Sequence, residues 1–462
     1  MRLRTALGVR PGEVVAFVGG GGKTTAMFRL AQELAAEGQG VITTTTTRLG
    51  ADQVALAPAH VRLEKDGLSA AQRARLLREL ETHHHVLVLA TVDEAQSKAV
   101  GLGPALAGDL AALPGVGVVL VEADGARERP FKAPAHYEPQ MPAAATLVVP
   151  VIGADALGKP LTLNWAHRVD LICALTGARE GDIITPELAA KVLAHPQGGR
   201  KNAPAGARVI PFINKVETAV QESLAGETAE HLLAAPGCEA VLIGAAQNSD
   251  PVRRVVGRVP ALVLAAGLSS RMGVPKHLLP WGQGETIISR IVHQLRMAGV
   301  PEIVVVTGGA REAVEAALAA IRAEPGWPRQ VELRAVYNPE YASKEMLCSL
   351  QAGLRALSPE SAAALVALGD HPQIEAEIAR AVIQRWSETR APVVLPTFEG
   401  RRGHPVLFDR SQWPALLSLP DTASPRDVLS RVTAEQVAVN TDSILQDVDT
   451  RADYDRAQAD WQ

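Results

Sequence analysis

The sequence predicts an α/β protein made of two doubly wound domains, and three observations lead to this prediction. Apolar runs of strand length alternate with helical segments along the chain, which favours parallel sheets covered by helices. Two glycine-rich loops, "VGGGGKTT" and "LAAGLSSRMGVPK", each follow the first apolar run of such a series. The 462 residues suffice for about two or three domains of roughly 150 residues each. We expect one domain over residues 1–250 and another over 258–462, with the boundary near residue 257 in "SDPVRRVVGRVP".

Composition and charge argue against several classes of function. The net charge is −4 and aromatic residues make up 3% of the chain, so neither a basic patch nor a stacking platform for nucleic acid is indicated. The sequence has no apolar run of the roughly 18 residues that a membrane helix needs, and its N-terminus lacks the apolar stretch of a signal peptide. The three cysteines, Cys173, Cys238 and Cys348, are far apart, which argues against a disulfide framework or a structural zinc site. We therefore expect a soluble cytoplasmic protein that binds neither nucleic acid nor membrane.

The elements of the first domain can be placed by their apolar runs. The predicted strands lie at 13–18, 41–44, 85–90 and 116–124 and in "ATLVVPVIG" and "ARVIPFINK", with a helix at 25–37. Three consecutive histidines at 83–85 are predicted to form a surface helix end. A metal site is the alternative reading of these histidines, although no second cluster of ligands lies near them in the sequence.

A second series of strands begins after Pro260. The predicted strands lie in "ALVLAAG", "EIVVVTGG", "VELRAVYN", "ALVALGD" and "APVVLPT". A helix predicted at 285–298 places five apolar residues on one face: Ile287, Ile288, Ile291, Val292 and Leu295. This second alternation predicts a second parallel sheet.

The first glycine-rich loop is predicted to bind the phosphates of a nucleotide. It departs from the strict Walker A pattern G-x-x-x-x-G-K-[ST], because Phe17 stands five residues before Gly22. Glycines lack a Cβ, so several backbone N–H groups can turn towards one anion, and the following helix adds its partial positive charge. Lys23 can reach the β- and γ-phosphates, and the Thr24 hydroxyl can bind Mg²⁺. A glycine-rich turn without ligand is the alternative. The predicted nucleotide-binding residues are Gly19, Gly20, Gly21, Gly22, Lys23, Thr24 and Thr25.

Three later stretches support nucleotide binding. "VLVEADG" ends a predicted strand with Glu122 and Asp124, where a second carboxylate that orders Mg²⁺ is expected. "TTTTTRL" could be a hydroxyl-rich switch that senses the γ-phosphate. In "FINKVE", Asn214 and Lys215 are similar to the N-K-x-D loop that reads guanine, but Glu217 replaces the aspartate, so the base is left open.

The N-terminal half resembles the selenium-dependent hydroxylase accessory proteins, a YqeC-like family. The resemblance is carried by "GGGGKTT", "TTTTR" and above all "VEADGARERPFKAPAHYEP", and it covers roughly residues 10–245. It implies a P-loop NTPase-like domain that binds a nucleoside triphosphate, ATP or GTP. It also implies an accessory role in maturing molybdenum-containing hydroxylases, with the hydroxylase apoprotein as a partner.

The second glycine-rich loop has the cations that a nucleotidyl transfer requires. Arg271 can hold the β- and γ-phosphates through its planar guanidinium, and Lys276 can neutralise charge on the α-phosphate while it is attacked. The small residues of the loop allow a nucleotide to lie on the backbone. The predicted nucleotide-binding residues are Leu264, Ala265, Ala266, Gly267, Ser269 and Gly273.

Such a reaction also needs Mg²⁺ held by carboxylates at strand ends. Asp370 follows the apolar run "ALVALG" and is the first candidate ligand. "QDVDT" offers a second carboxylate, as Asp447 or Asp449. The alternative for Asp370 is a helix N-cap before "PQIEAEI".

The C-terminal half resembles the MobA-like nucleotidyltransferases, and among them the molybdenum cofactor cytidylyltransferases. The resemblance is carried by "LAAGLSSRMGVPKHLLPW", "NPEYASKEMLCSLQAGL", "LGDHPQI", "RRGHPVLF" and "DVDTRADY". It implies a doubly wound nucleotide-diphospho-sugar transferase-like fold and the transfer of CMP from CTP to molybdopterin. "LAAG" is similar to the cytidylyl type, whereas the guanylyl type reads "LAGG", so Ala266 would narrow the base site.

The same resemblance implies where the second substrate lies and where this chain departs from the family. Ser349, Gly403 and His404 are implied contacts to that substrate, with a buried structural role as the alternative for His404. The family has a glycine where Lys344 or Glu345 stands and "GDQP" where this chain reads "GDHP". The histidine of "GDHP", His371, could contact ligand or be a solvated loop residue.

The two loops together suggest two coupled steps on one cofactor. The first domain would bind a nucleoside triphosphate in an accessory step, and the second would transfer a nucleotide to the pterin. Two rival readings remain at this point. One is a nucleotidyltransferase for another phosphorylated acceptor, and the other is a P-loop chaperone that carries the cofactor and has an inactive transferase domain.

Overall fold

A computed structural model describes residues 1–63, 67–93, 98–267, 274–282, 284–342 and 346–461 of the chain. The chain divides into two compact units: Met1–Val256 (unit 1) and Gly257–Gln462 (unit 2). Each unit has its own central sheet and its own hydrophobic core, and the α/β class predicted for both is confirmed. No helix in the described ranges combines the length and the apolar character needed to cross a bilayer.

Unit 1 contains both long and very short elements. Its strands are β1 (Val14–Gly19), β2 (Val41–Thr45), β3 (Arg48–Gly50), β4 (Ala59–Arg62), β5 (His85–Leu89), β6 (Thr91–Asp93), β7 (Lys98–Val100), β8 (Val118–Glu122), β9 (Phe131–Lys132), β10 (Leu147–Gly153), β11 (Ala166–His167), β12 (Arg208–Val209), β13 (Phe212–Asn214), β14 (Ala240–Gly244) and β15 (Val252–Gly257). Its α-helices are α1 (Leu3–Leu7), α2 (Lys23–Ala35), α3 (Ala70–His83), α4 (Leu106–Ala111), α5 (Val169–Thr176), α6 (Pro186–Ala194) and α7 (Ala219–Ala234). The short 3₁₀ helices are Ala51–Leu56 and Ala154–Ala156.

The main sheet of unit 1 has ten strands in the order β15-β14-β13-β10-β1-β8-β2-β5-β4, with β12 beside β10. Strand β1 lies between β8 and β10 and is parallel to both. The central strands are almost continuous apolar runs, as in strands covered on both faces: β1 reads VVAFVG and β8 reads VVLVE. Because β8, β1, β10, β13 and β14 run parallel, the turns that follow them lie at the same edge of the sheet.

Two boundaries and one burial prediction in unit 1 differ from the structure for physical reasons. Helix α2 begins at Lys23 rather than at residue 25, because Gly22 has a φ of 104° and ends the loop there. "ARVIPFINK" forms two short strands, β12 and β13, because Pro211 between them has no N–H for the ladder. The histidine run ends α3 at His83 as predicted, but His85 is buried in β5 and its Nε2 lies 3.0 Å from the Thr43 hydroxyl. The surface prediction is therefore wrong for His85.

Unit 2 has a similar number of helices and fewer strands. Its strands are β16 (Ala261–Ala265), β17 (Pro280–Trp281), β18 (Glu285–Thr286), β19 (Glu302–Thr307), β20 (Glu332–Tyr337), β21 (Ala363–Leu368), β22 (Val393–Phe398), β23 (Arg401–Arg402), β24 (Val406–Asp409) and β25 (Glu435–Ala438). Its α-helices are α8 (Ile287–Met297), α9 (Arg311–Arg322), α10 (Met346–Ala356), α11 (Ala376–Thr389), α12 (Trp413–Leu417), α13 (Pro425–Leu429) and α14 (Arg451–Trp461). Its short 3₁₀ helices are Lys276–Leu278, Arg410–Gln412 and Asp442–Leu445.

The main sheet of unit 2 has the order β20-β19-β16-β21-β24-β22-β23, with β25 beside β22. Strands β16, β19, β20 and β21 are parallel, but β24 is antiparallel to both of its neighbours, so the sheet is mixed rather than parallel throughout. The reason is a tight hairpin between β22 and β23, in which Glu399 and Gly400 both have positive φ and reverse the chain. The apolar face predicted for α8 is confirmed, since its five residues are fully buried.

Candidate functional sites

The glycine loop of unit 1 passes close to two other turns at the carboxyl edge of the sheet. Gly21 has a φ of 72°, and a Cβ there would lie 2.0 Å from the backbone nitrogen of Gly153. Gly22 has a φ of 104°, and a Cβ there would lie 2.6 Å from Nδ2 of Asn214. Any side chain would strain the backbone and clash, so both positions require glycine.

The backbone donors of this loop are arranged differently from the prediction. The N–H groups of the first three glycines donate to the protein itself: Gly19 to Asp124 Oδ1 (3.1 Å), Gly20 to Val151 O (2.9 Å) and Gly21 to Arg129 O (3.1 Å). The expectation that these three N–H groups face one anion is therefore wrong for the loop as it stands here. The donors suited to an anion at this edge are those of the first turn of α2, because the first N–H groups of a helix lack an intrahelical acceptor.

Lys23 is buried at the start of α2, with 4% of its side chain exposed. Its Nζ donates to Gly19 O at 2.7 Å and lies 3.4 Å from Asp124 and 3.6 Å from Glu122. Burial by itself would lower the pKa of Lys23, but attraction to the two carboxylates outweighs it and the pKa is raised. The lysine is therefore charged, and it lies between Glu122 and Asp124, of which Asp124 is the predicted metal ligand.

Thr24 joins the same group of side chains. Its hydroxyl donates to Glu122 Oε2 at 2.7 Å. Burial raises the pKa of Glu122, and the attraction of Lys23 only partly opposes it. The structure thus brings together the predicted Lys23, Thr24 and Asp124, with Glu122 as the carboxylate nearest the threonine.

A network of buried ion pairs extends from Asp124, and it was not predicted from the sequence. Lys132 Nζ lies 2.9 Å from Asp124 and 2.7 Å from Glu138, and Glu138 also pairs with Arg168. Burial by itself would raise the pKa of Glu138, but hydrogen bonding to Arg168 and attraction to Lys132 lower it to about 2. Lys132 and Glu138 both belong to "VEADGARERPFKAPAHYEP", so the density of charged residues in this stretch was the signal available.

The threonines of "TTTTTRL" are mainly part of the sheet. Residues 43–45 lie in β2, where the Thr44 hydroxyl donates to Val88 O at 2.8 Å and the Thr45 hydroxyl donates to Glu122 O at 2.9 Å. These hydroxyls already donate to backbone carbonyls of neighbouring strands, so they are not directed towards a γ-phosphate. A switch at this stretch would have to use the residues after Thr45.

Asn214 holds the glycine loop to the turn that follows β14. Its Nδ2 donates to Gly21 O at 2.8 Å, and its Oδ1 accepts from the Ala246 N–H at 2.8 Å. Its side chain is almost fully buried. Lys215 follows with a φ of 61°, and its Nζ lies 3.0 Å from Asp155 Oδ2. Of the two predicted residues, Asn214 therefore holds the loop in place, and Lys215 pairs with a carboxylate.

A cavity of about 350 Å³ lies beside this junction. It is lined by residues of the glycine loop, of the first turn of α2 and of the turns after β10, β13 and β14: Gly22, Thr25, Asp155, Asn214, Lys215, Glu217, Gln221, Ala245, Ala246 and Gln247. The predicted Gly22 and Thr25 therefore connect the helix start to a partly open cavity with a mixed polar and apolar lining.

The candidate site of unit 2 is a cavity of about 230 Å³ at the carboxyl end of β16. It is lined by ten residues of the described chain, six of them predicted from the sequence: Leu264, Ala266, Gly267, Lys276, His277, Tyr341, Met346, Ser349, Leu368 and Asp370. Ala265, which was also predicted, is buried in β16 and does not line it. The predicted Arg271, Ser269 and Gly273 lie outside the described residues.

Lys276 lies between two carboxylates in this site. Its Nζ is 2.6 Å from Asp370 Oδ2 and 3.0 Å from Asp449 Oδ1. Burial by itself would lower the pKa of Lys276, but attraction to Asp370 outweighs it and the pKa is raised. Burial by itself would raise the pKa of Asp370, but attraction to Lys276 outweighs it and the pKa is lowered. Lys276 and Asp370 are therefore both ionised at neutral pH.

The sequence left open whether Asp370 caps a helix and whether Asp447 or Asp449 accompanies it, and the positions of these residues decide both points. Asp370 is not a helix N-cap, because α11 begins at Ala376 and its N-cap is Glu375. Asp449 shares Lys276 with Asp370, whereas Asp447 is exposed and lines a different cavity beside Pro372. Of the two predicted partners for Asp370, Asp449 is the one that the structure places beside it.

Two carboxylates around one cationic group suit Mg²⁺, which binds through one or two carboxylates plus substrate phosphates and keeps several waters. Asp370 and Asp449 are oxygen donors of this kind. No group of three or more His, Cys, Asp or Glu side chains within the described ranges could hold a metal ion by itself. The donor set therefore fits a metal that arrives together with a triphosphate.

The residues implied for the second substrate lie in two places. Ser349 lines the cavity and its hydroxyl accepts from Asn338 Nδ2 at 3.0 Å. At Gly403, a Cβ would lie 2.4 Å from Ile444 O, so this glycine is needed for packing. The His404 ring lies 5.6 Å from that of His371, and burial lowers the pKa of His404 to about 4.

The two histidines at this place are therefore not solvated loop residues. His371 is 7% exposed and lies 4.0 Å from the Asp370 carboxylate. Burial lowers its pKa, although the neighbouring aspartates oppose that effect. The solvated reading of His371 is wrong, and the predicted His404 is a neutral ring beside it.

His277 is a site residue that the sequence reading missed. It is 2% exposed, it lines the cavity, and its Nδ1 has no hydrogen-bond partner among the described residues. Burial lowers its pKa to about 4, so the ring is neutral. The only signal in the sequence was its place directly after Lys276.

Comparisons with known proteins divide along the same boundary. The family model described as YqeC protein matches residues 15–170, and that of the MobA-like NTP transferase domain matches residues 261–437. The "Uncharacterized protein YqeC" of Escherichia coli K12 is 32% identical over 215 residues, which cover 46% of this chain and 80% of that protein. The molybdenum cofactor cytidylyltransferase of the same organism is 28% identical over 196 residues, which cover 42% of this chain and 93% of that protein. The crystal structure of Rv0371c from Mycobacterium tuberculosis is 26% identical, covers 44% of this chain and 98% of that chain, and has a TM-score of 0.38.

Proposed function

Because the chain belongs to the YqeC family in its N-terminal half and carries a MobA-like NTP transferase domain in its C-terminal half, we propose that it acts in molybdenum cofactor maturation. The observation that carries this proposal is the site of unit 2. Lys276, Asp370 and Asp449 meet there at a cavity lined by Ala266 and Gly267. This unit is similar to nearly the whole length of the cytidylyltransferase of Escherichia coli.

The proposed reaction of unit 2 transfers CMP from CTP to the terminal phosphate of molybdopterin. An oxygen of that phosphate forms a bond to the α-phosphorus, the bond from the α-phosphorus to the bridging oxygen breaks, and pyrophosphate leaves. Negative charge increases around the α-phosphorus during this exchange. Lys276 lines the cavity, and its charged amino group can stabilise this negative charge. Arg271 keeps its proposed role at the β- and γ-phosphates.

Mg²⁺ would be held by Asp370 and Asp449 in this proposal. When bound, it supplies positive charge to the triphosphate and to the leaving pyrophosphate. The protein's part is to hold the two carboxylates in place. Asp370 sits at the end of β21, where the Val448 N–H donates to its backbone oxygen at 3.0 Å and so ties the stretch before Asp449 to it.

Unit 1 would bind a second nucleoside triphosphate, ATP or GTP, in an accessory step for molybdenum hydroxylases. The first turn of α2 offers N–H donors, and Lys23 is the cation for the β- and γ-phosphates. Thr24, Glu122 and Asp124 are oxygen donors suited to Mg²⁺ at the same place. A hydroxylase apoprotein is the proposed recipient of the finished cofactor.

Product analysis tests the proposed reaction directly. The full chain is incubated with molybdopterin, Mg²⁺ and each nucleoside triphosphate in turn, and dinucleotide and pyrophosphate are measured by mass spectrometry and a coupled assay. We expect a cytosine dinucleotide and one pyrophosphate per dinucleotide. Nucleotide transfer that occurs only when another phosphorylated acceptor is supplied instead of molybdopterin would replace molybdopterin in the proposal. Cofactor binding without any pyrophosphate release would support the carrier reading instead.

A further inference from the structure

The cavity beside the glycine loop of unit 1 has the position of a base pocket. It adjoins Gly22 and Thr25, where the loop enters α2, so a ligand with its phosphates on the first turn of α2 can extend its other end into the cavity. The volume of about 350 Å³ is within the range of small-ligand sites, roughly 300–1,000 Å³. The cavity therefore has room for a nucleoside.

The walls of this cavity are held in place by the fold. Asn214 is almost fully buried and bridges Gly21 O to the Ala246 N–H, which fixes the glycine loop to the turn after β14. Lys215 is in the left-handed region with a φ of 61°, a conformation that a lysine adopts only where its surroundings impose it. A pocket with fixed walls can discriminate between bases, because a wrong hydrogen-bonding edge cannot be accommodated by movement.

Asp155 presents a carboxylate oxygen that the protein leaves unsatisfied. Its Oδ2 lies 3.0 Å from Lys215 Nζ, whereas its buried Oδ1 has no hydrogen-bond partner among the described residues. The side chain is 33% exposed and lines the cavity, so a ligand donor edge that takes the place of Lys215 can reach this carboxylate, and turning of the carboxylate would also satisfy Oδ1. Glu217 also lines the cavity, but it is exposed to solvent and lacks such anchoring.

A carboxylate selects among the bases by their donor edges. Guanine offers two adjacent donors, N1–H and the 2-amino group, which match the two oxygens of one carboxylate. Adenine and cytosine place an acceptor nitrogen next to their amino group, and uracil flanks its single N–H with carbonyls, so each would bring an acceptor towards the carboxylate. We propose that this cavity binds the guanine base of a nucleoside triphosphate and that Asp155 is the carboxylate that reads it. This inference rests on the proposed binding of a triphosphate by unit 1.

Binding measurements on the full chain test the inference. Calorimetry with Mg²⁺ compares GTP, ATP, ITP and XTP, and the part of the binding that Lys23→Ala removes is assigned to unit 1. We expect GTP to bind at least about tenfold more tightly than ATP, because a site built around a donor edge rejects bases that lack it. ITP, which lacks only the 2-amino group, should also bind more weakly than GTP, and this comparison needs no variant of Asp155.

Asp155→Asn makes the test more specific, because it replaces one carboxylate oxygen, an acceptor, with an amide NH₂ group, a donor. An amide can donate to the 2-carbonyl of xanthine but repels the 2-amino group of guanine. We expect the variant to lose about tenfold or more in GTP affinity and to gain affinity for XTP. Glu222→Gln, which alters a carboxylate outside the cavity, is the matched control and should leave the ratio of GTP to XTP affinity unchanged within a few-fold. Glu217→Gln tests the other carboxylate of the lining.

The outcomes separate this inference from the proposed function. If no triphosphate shows binding that depends on Lys23, the proposed nucleotide binding of unit 1 is wrong. If such binding exists but ATP or ITP binds as tightly as GTP, only the guanine assignment fails. A change of preference caused by Glu217→Gln and not by Asp155→Asn would assign the reading to Glu217 and overturn the role of Asp155.

Discussion

Units 1 and 2 both place a lysine between two carboxylates at the carboxyl end of a central strand, yet the two sites differ in how completely the protein neutralises them. In unit 1 the side chain of Lys23 is 4% exposed, and Asp124 beside it is 2% exposed. In unit 2 the side chain of Lys276 is 12% exposed, and Asp449 beside it is 43% exposed. The first arrangement is closed, and the second is open to a ligand.

The contacts beyond each lysine explain the difference. In unit 1, Asp124 also accepts from the Gly19 N–H and pairs with Lys132, and Glu122 accepts from Thr24. A nucleotide that uses Lys23, Glu122 and Asp124 has to exchange some of these contacts for its own. In unit 2, Lys276 and Asp370 already line a cavity. Unit 1 therefore has more internal contacts to lose on binding a ligand than unit 2.

The largest expected effect comes from removing each lysine in turn. Lys23→Ala should abolish triphosphate binding by unit 1, because this lysine is the main cationic contact proposed for the β- and γ-phosphates. It should leave pyrophosphate release from CTP nearly unchanged when molybdopterin is in excess, and Lys276→Ala should do the reverse. Calorimetry and a pyrophosphate assay measure the two properties.

A control and a contrary outcome make this prediction strict. Lys191→Ala removes an exposed lysine that pairs with Glu187 on α6, and it should change neither property. If Lys23→Ala also stops cytidylyl transfer while circular dichroism shows a folded chain, the two sites are obligately coupled. The view of two separable sites would then have to be abandoned.

A smaller but still large effect is expected at the carboxylate of unit 2. Asp370→Asn keeps the shape of the side chain but removes its charge, so it weakens both the position of Lys276 and the proposed Mg²⁺ site. Cytidylyl transfer should fall by about 10²–10³ in kcat. Asp447→Asn is the matched control: its exposed carboxylate lines another cavity, and its rate should stay near that of the wild type. Equal losses in both variants would mean that the position of Asp449 beside Lys276 has been misinterpreted.

The sequence predicted the fold class because strand alternation and glycine loops are local signals. It could not predict the antiparallel strand β24, because the reversal depends on two positive φ angles at Glu399 and Gly400 rather than on a hydrophobic pattern. Nor could it predict that Gly19, Gly20 and Gly21 donate to the protein itself. The acceptors lie in turns that are far away in the sequence and become neighbours only when the parallel strands align.

The site residues divide in the same way. Lys23, Lys276 and Asp370 were found because each follows a strand in a recognisable spacing. Lys132, Glu138 and Arg168 were missed, since a buried ion network has no fixed spacing and its members join through tertiary contacts. Sequence reasoning therefore found the groups that would contact a ligand and missed those that hold them in place.

The closed network of unit 1 should make its stability depend on acid pH. Since the folded pKa of Glu138 is about 2 and its ordinary value is 4.5, the ionised form is favoured in the folded state. The stabilisation is complete above pH 4.5 and is lost as the pH falls towards 2, and two to three pKa units correspond to about 3 kcal/mol. The free energy of unfolding of Glu138→Gln should therefore lie below that of the wild type at pH 4.5, and the difference should shrink as the pH falls to 2. Urea unfolding of the full chain measures both values.

The matched control for this pH effect is an exposed carboxylate of the same unit. Glu222 pairs with Arg253 where both side chains are 38% exposed, and such a pair contributes about 0–1 kcal/mol. Between pH 4.5 and 2, the free energy of unfolding of Glu222→Gln should change with pH almost as that of the wild type does. A pH dependence of equal size in both variants would show that the buried network does not set the acid stability of unit 1.

The smallest expected effect concerns the choice of base in unit 2. Ala266 is 5% exposed and lines the cavity beside Gly267 and Lys276, so its methyl group takes up space where a base would lie. The wild type should favour CTP over GTP by at least about tenfold in kcat/KM, and Ala266→Gly should raise kcat/KM for GTP several-fold by removing one methyl group. Ala265→Gly removes the same group from the buried end of β16 without touching the cavity lining. That control should lower stability by about 0.5–1 kcal/mol and leave the ratio of CTP to GTP unchanged. A GTP preference in the wild type, or an equal shift in both glycine variants, would show that the methyl group of Ala266 does not select the base.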